Sequence, residues 1–363
     1  MYFARTLDSV KPSNYAFEAI SEAGNFWEDC WTWTPTEKDA GRRVPVVFNV
    51  WDDESGLVDA ATTTVCVAKM PTEEQKAKKV TVAILGASCT NSRYQDQFRA
   101  RMREAGFANY VAVGSHSGGS SSVECNPDTE APHDGYGGFA WGDFMTRYAM
   151  TVDEINNEQA EAEREQLIHL FGAKLPKGQE WRKGLLKSPL VRIKDMKKVV
   201  DVQAWFDKVN GGKAPDVIFI ELGCNQTFAA TDDVELHRII HEVQIPNAKS
   251  LLRHLREKCP NSLIGLAQET LGSGQDGYAA SYGCAYSEAN WRRNMFVLNR
   301  ALAQFVKDSG DPRLMVVPFG YAISRDYSYL RKEAPAHAYA DRKVTRDRNA
   351  LHCGAAGGHQ LGE

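Results

Sequence analysis

The chain has 363 residues, 43% of them hydrophobic and 25% charged, which is ample apolar material for one large domain or two smaller ones. Its 43 basic and 47 acidic side chains leave a formal net charge of −4, so no electrostatic footprint for nucleic acid is expected. No apolar run approaches the ~20 residues that a membrane-spanning helix needs.

The opening MYFARTLDSV lacks the charged-then-apolar order of a signal peptide. A cytoplasmic chain and a secreted or periplasmic one whose leader is absent both fit. The eight cysteines (30, 66, 89, 125, 224, 259, 284 and 353) form no CxxC pair. Metal clusters are therefore not expected, a disulfide scaffold is unnecessary at this size, and free thiols fit a reducing compartment.

In chain order, FWEDCWTWTPTEKDAGR suits strand and turn, and VPVVFNVW and ATTTVCVA flank DDESG as an antiparallel hairpin. PTEEQKAKK (71–79) reads as a polar linker, so residues 1–76 are expected to form a small β-sandwich-like module. After Lys79 the rhythm changes. VTVAILG (80–86), ANYVAVG (108–114), DVIFIELG (216–223), SLIGLAQE (262–269) and RLMVVPFG (313–320) are short, continuous apolar runs. Between them lie helical patterns in DQFRARMREAG, NAKSLLRHLREKC and NWRRNMFVLNRALAQFVKDSG. Apolar strands alternating with helices predict an α/β fold, a flavodoxin-like parallel sheet of about five strands over 77–363. Residues 150–200 interrupt it as an insertion, with a helix in EINNEQAEAEREQLIHLFG followed by a Lys-rich loop.

In such sheets ligands bind outside the carboxyl ends of the strands. The first strand delivers Ser88 there, two residues past Gly86. A serine nucleophile needs a base. His237 and His241 form HxxxH, but Arg238 stands where a zinc protease carries its glutamate; His169 and His254 lie on helix patterns. His352, in RNALHCGAAGG, precedes a final helix and can face the first strand's turn. Asn225, in LGCNQTF, follows the third strand and suits either an Asx turn or an oxyanion donor. Gly138, in HDGYGGFAW, can supply a backbone N–H to the same oxygen.

Taken together, Gly86-Ala87-Ser88, Gly138, Gly223-Cys224-Asn225 and His352 resemble the four blocks of the SGNH (GDSL-like) hydrolases, over about 80–363. The wider pattern is similar to carbohydrate-esterase-type members that carry a β module in front. The resemblance implies Ser88 as nucleophile, His352 as base, and Ser88, Gly138 and Asn225 as oxyanion donors. It departs from the family at Ala87, where an aspartate is usual, and at Asn349, where the acid of D-x-x-H falls. Either Asp347 replaces that acid, or Asn349 orients the ring, or Ser88 and His352 act as a dyad aided by a backbone carbonyl, the arrangement favoured slightly. The implied substrate is a short acyl ester, acetyl on a carbohydrate above all, with no metal or cofactor. Tyr136, Phe139 and Trp141 are candidate stacking rings, and His133 and Asp134 candidate rim residues. The alternatives are a lipase or thioesterase of the same fold, and a non-catalytic glycan-binding module on an esterase scaffold.

Overall fold

The computed structural model describes residues 1–7, 12–92, 94–117, 131–158, 161–337 and 339–362. The N-terminal region holds β1 (Ala16–Ser21), the two-stranded ribbon β2 (Asn25–Phe26) and β3 (Trp31–Thr32), and the hairpin β4 (Arg43–Asp52) and β5 (Gly56–Cys66). β1, β4 and β5 form an antiparallel sheet. Phe17, Ala19, Val46, Phe48 and Val65 alternate onto one face and pack against Phe3, Trp31 and Trp33. The ribbon thus caps one face of the sheet. Arg5 anchors the segment before it: fully buried, it donates from Nη1 to Gly272 O (2.8 Å) and from Nε to Ile323 O (3.3 Å).

The stretch read as a linker contains α1 (Glu73–Ala77). Thr72 and Gln75 form a capping box, each side chain accepting from the other's backbone N–H, which is enough to close one helical turn.

The remaining elements follow in order: β6 (Val80–Gly86), α2 (Tyr94–Glu104), β7 (Tyr110–Val113), β8 (Asp134–Gly135) and α3 (Asp143–Thr146). The insertion brings β9 (Met150–Thr151), α4 (Val152–Glu158), α5 (Glu161–Phe171), β10 (Gly172–Ala173), β11 (Val191–Lys194) and β12 (Lys197–Val200). Its Lys-rich part is not a plain loop. β11 and β12 pair antiparallel around Asp195 and Met196, whose φ values of 49° and 59° make the two-residue hairpin turn. Then come α6 (Val202–Asn210), β13 (Val217–Glu221), α7 (Cys224–Thr227), α8 (Asp233–Arg238), a π-helical stretch (Ile239–Gln244) running into α9 (Ile245–Lys258), and β14 (Leu263–Ala267). The chain ends with α10 (Gln275–Tyr282), α11 (Glu288–Ser309), β15 (Leu314–Val317), α12 (Phe319–Ala322), the hairpin β16 (Arg331–Pro335) and β17 (Lys343–Asp347), and α13 (Ala355–Gly362).

The central sheet runs β15-β14-β13-β6-β7, all parallel, with β8 added at the tip of β6. Both faces are covered, which is why the strands read as continuous apolar runs. Ala83, Leu85, Ile218, Ile220, Ile264 and Leu266 share a core with Trp205, Leu251, Leu255 and Leu298. Val82 and Ile84 face the other way, onto Tyr94, Tyr110 and Phe319. The chain leaves β6 for β7 on one side and later returns to β13 on the other. β6 is therefore the topological switch, and the crevice lies beyond its carboxyl end.

Candidate active site

Position 86 has no room for a side chain, because a Cβ there would collide with Thr90 Oγ1. Ala87 is 1% exposed and sits in the main core, its N–H donating to Glu221 O (3.2 Å). The alanine side chain packs in that core without needing a polar partner. Ser88 follows, half-buried like its neighbour Cys89.

The glycine block hangs beside this turn. β8 pairs with β6 at Leu85↔Asp134 and Gly86↔Gly135, and Tyr136 N donates to Gly86 O (2.9 Å). Gly138 lies at φ +77°, where a Cβ would meet nothing, so the backbone conformation rather than space requires glycine. The Asn225 block joins from β13: Asn225 Nδ2 donates to Phe139 O (2.9 Å). Gly223, at φ +141°, has Leu298 Cδ2 2.8 Å from where a Cβ would stand. Three strand tips thus bring Ser88, Gly138 and Asn225 together. Neither the Ser88 nor the Gly138 backbone N–H donates to any described residue, and one of the two Asn225 amide protons is free.

The loop after β17 carries His352. Tyr329, bridged to Cys353, packs with it in the cluster that holds Val82, Ile84 and Tyr94, so this loop is docked on the β6 face of the sheet. His352 Nε2 is buried and has no hydrogen-bond partner, and burial lowers the imidazole's pKa below its ordinary value. The two candidate orienting groups are engaged elsewhere. Asn349 Oδ1 accepts from the backbone N–H of Leu351 and His352, both at 2.9 Å, which is an Asx turn. Asp347 Oδ2 accepts from Gly274 N (2.9 Å) and its Oδ1 from Arg331 Nε (3.1 Å). Neither side chain hydrogen-bonds the imidazole.

The residues expected at a pocket rim and as stacking rings lie inside the protein. His133, Asp134, Tyr136 and Trp141 are 1%, 0%, 7% and 0% exposed. Asp134 accepts from Trp205 Nε1 (3.0 Å), Ser115 N (3.2 Å) and Tyr136 OH (2.9 Å), and burial still raises its pKa. Phe139 stacks on Tyr136 at 4.8 Å. A sugar platform needs an open ring face, and these rings have none. They support the glycine block from behind.

Two carboxylates unmarked by the motifs lie beneath the serine and Asn225 turns. Glu221 Oε2 accepts from Thr90 Oγ1 (2.8 Å) and Tyr94 OH (3.1 Å), bracing the serine turn. Glu269 Oε1 accepts from Cys224 N (3.0 Å), bracing the Asn225 turn, while Asn299 holds its backbone at N and O (both 2.8 Å). Burial, then the charge of Glu269, pushes Glu221 up to about 8, and burial raises Glu269 too. The Cys224 thiol is held far above the usual thiol range by its hydrogen bond to Cys89 and by burial. The sequence carried a signal for one of them: Glu221 ends the otherwise apolar strand VIFIE, whereas Glu269 follows the end of β14.

Among the described residues no group of three or more His, Cys, Asp or Glu side chains is arranged to hold a metal ion, and no helix is long and apolar enough to cross a membrane.

No family model matches the chain, and no curated protein matches it. Among solved structures it is similar to carbohydrate and acetyl esterases. One is a family 3 carbohydrate esterase from Clostridium thermocellum, at 14% identity over 78% of this chain and 92% of that one, with a TM-score of 0.40. Others are a family 3 carbohydrate esterase from Talaromyces cellulolyticus (13%, 78% and 93%, TM-score 0.43) and an acetyl xylan esterase from Geobacillus stearothermophilus (14%, 79% and 93%, TM-score 0.33).

Proposed function

We propose that this chain is a serine esterase of the SGNH type that hydrolyses short acyl esters, acetyl esters of carbohydrate above all. The observation that carries the reading is the pair of unused N–H groups at Ser88 and Gly138 beside a half-free Asn225 amide. Backbone and amide donors left unpaired at one strand edge are what a developing oxyanion requires.

In the reaction, neutral His352 takes the Ser88 proton on Nε2 as Oγ attacks the ester carbonyl. The oxyanion is held by the Ser88 and Gly138 N–H groups and Asn225 Nδ2. The alkoxide leaves with the proton from His352, and a water deprotonated by His352 then releases the acid from the acyl-enzyme. Ser88 Oγ and His352 Nε2 are not hydrogen-bonded to each other, and the proton transfer requires them to approach as the ester binds. With Asp347 and Asn349 committed elsewhere, His352 works without a carboxylate, as a dyad.

The test is hydrolysis of p-nitrophenyl acetate. Ser88→Ala should abolish it while the melting temperature and circular dichroism stay those of the parent. Equal turnover in that variant overturns the assignment. A ladder of acyl lengths separates the lipase or thioesterase alternative, which requires a maximum at long chains. Glycan binding without any turnover identifies the non-catalytic alternative.

A further inference from the structure

With the expected platform buried, a different aromatic surface borders the catalytic turns. Phe228 closes α7, its N–H donating to Cys224 O (2.9 Å), three residues after Asn225. Its ring meets Tyr286 at 4.2 Å, Tyr282 at 4.9 Å and Trp291 at 5.3 Å, at 62–68°. Tyr282 and Tyr286 meet edge to face at 5.4 Å. Trp291 is the floor, buried and tied by Nε1 to Thr270 O (3.0 Å). Phe228, Tyr282 and Tyr286 are half-exposed above it. The cluster adjoins the Asn225 turn through α7, because Phe228 caps the short helix on which Asn225 lies. The Tyr282 and Tyr286 hydroxyls bond to no described residue.

We propose that Phe228, Tyr282 and Tyr286 form the saccharide subsite of this enzyme and take the pyranose ring that bears the ester. This inference rests on the esterase reading. Half-open rings offer a flat apolar face to the C–H groups of a sugar, and two unpaired phenols offer donors and acceptors to its hydroxyls. Both hydroxyls face water, whose hydrogen bonds a sugar's hydroxyls replace and an acyl chain laid over the rings does not. That difference commits the wall to a sugar.

The experiment compares glucose pentaacetate with ethyl acetate, which has no ring to stack. In Tyr282→Phe and Tyr286→Ala the KM for glucose pentaacetate, taken relative to that for ethyl acetate, should rise about five- to tenfold, the scale of one lost hydrogen bond or aromatic contact. An unchanged ratio, or an equal loss of kcat on both esters, overturns the subsite. So does a rise confined to p-nitrophenyl octanoate, which assigns the wall to the acyl chain. Calorimetric binding of glucose pentaacetate to the Ser88→Ala protein, with and without each wall substitution, reads the subsite independently of turnover. Binding that the substitutions weaken supports it even if the parent hydrolyses no ester; binding that is absent or unaltered overturns it.

Discussion

His352 has no charged partner, and burial is the force acting on its titration. An imidazole beside a carboxylate is pushed up; one that is only desolvated is pushed down. Its neutral, base-competent form therefore persists to lower pH. The acid limb of kcat/KM on p-nitrophenyl acetate should have its midpoint below the ordinary histidine value of about 6.5. A midpoint at or above 7 indicates an unrecognised acid and refutes the dyad. The motif spacing marked Ser88, Gly138, Asn225 and His352 because turns of small residues after apolar strands are local features. Partner choice is not local. Asn349 and Asp347 stand near His352 in the chain, yet one closes its own turn and the other is drawn to Gly274 and Arg331, 73 and 16 residues away. Burial of Tyr136 and Trp141 was hidden for the same reason: it depends on Asp134 and Trp205, the latter from a helix beyond the insertion.

At the level of elements, β13 ends in Glu221 and β14 is followed two residues on by Glu269, one bracing the serine turn and the other the Asn225 turn. Burial and mutual repulsion keep a proton on this pair, with Glu221 titrating at about 8. The folded protein thus binds a proton that an unfolded chain, with a glutamate near 4.3, releases at lower pH. Stability should be full below about pH 4, then fall as pH rises toward 8, by at most about 1.4 kcal/mol per pH unit. Glu221→Gln accepts the same two hydroxyls without titrating and should flatten the urea-denaturation midpoint over pH 5–8. An unaltered slope removes Glu221 as its source. The five parallel strands and three long helices were legible from periodicity, as was the β4–β5 hairpin. The β11–β12 hairpin was not, because its turn uses Asp and Met rather than glycine or asparagine. α1 was masked by its charged composition, although its T-x-x-Q cap stands in the sequence.

For the whole molecule, the N-terminal sheet and the parallel-sheet region are joined by a buried cation. Arg5 crosses to Gly272 and Ile323 and lies 5.9 Å from the centre of the Tyr329 ring. Arg5→Met keeps much of the packing but leaves two carbonyls unpaired, which should cost about 2–3 kcal/mol in urea denaturation. A change within about 0.5 kcal/mol shows that water replaces both bonds. The carbonyls it holds sit in the segments that carry Gly274 and Tyr329, so the same substitution should loosen the setting of His352.

Arg5 and Gly272 are separated by 267 positions along the chain, and Arg5 and Ile323 by 318. On a ribosome, Arg5 emerges long before either acceptor exists. The hairpin β4–β5 can form at once from neighbouring residues, but the guanidinium must wait until most of the chain has been made. Its closure is therefore a late step in folding, and the segments that carry Gly274 and Tyr329 reach their final setting only when residues made far apart in time meet.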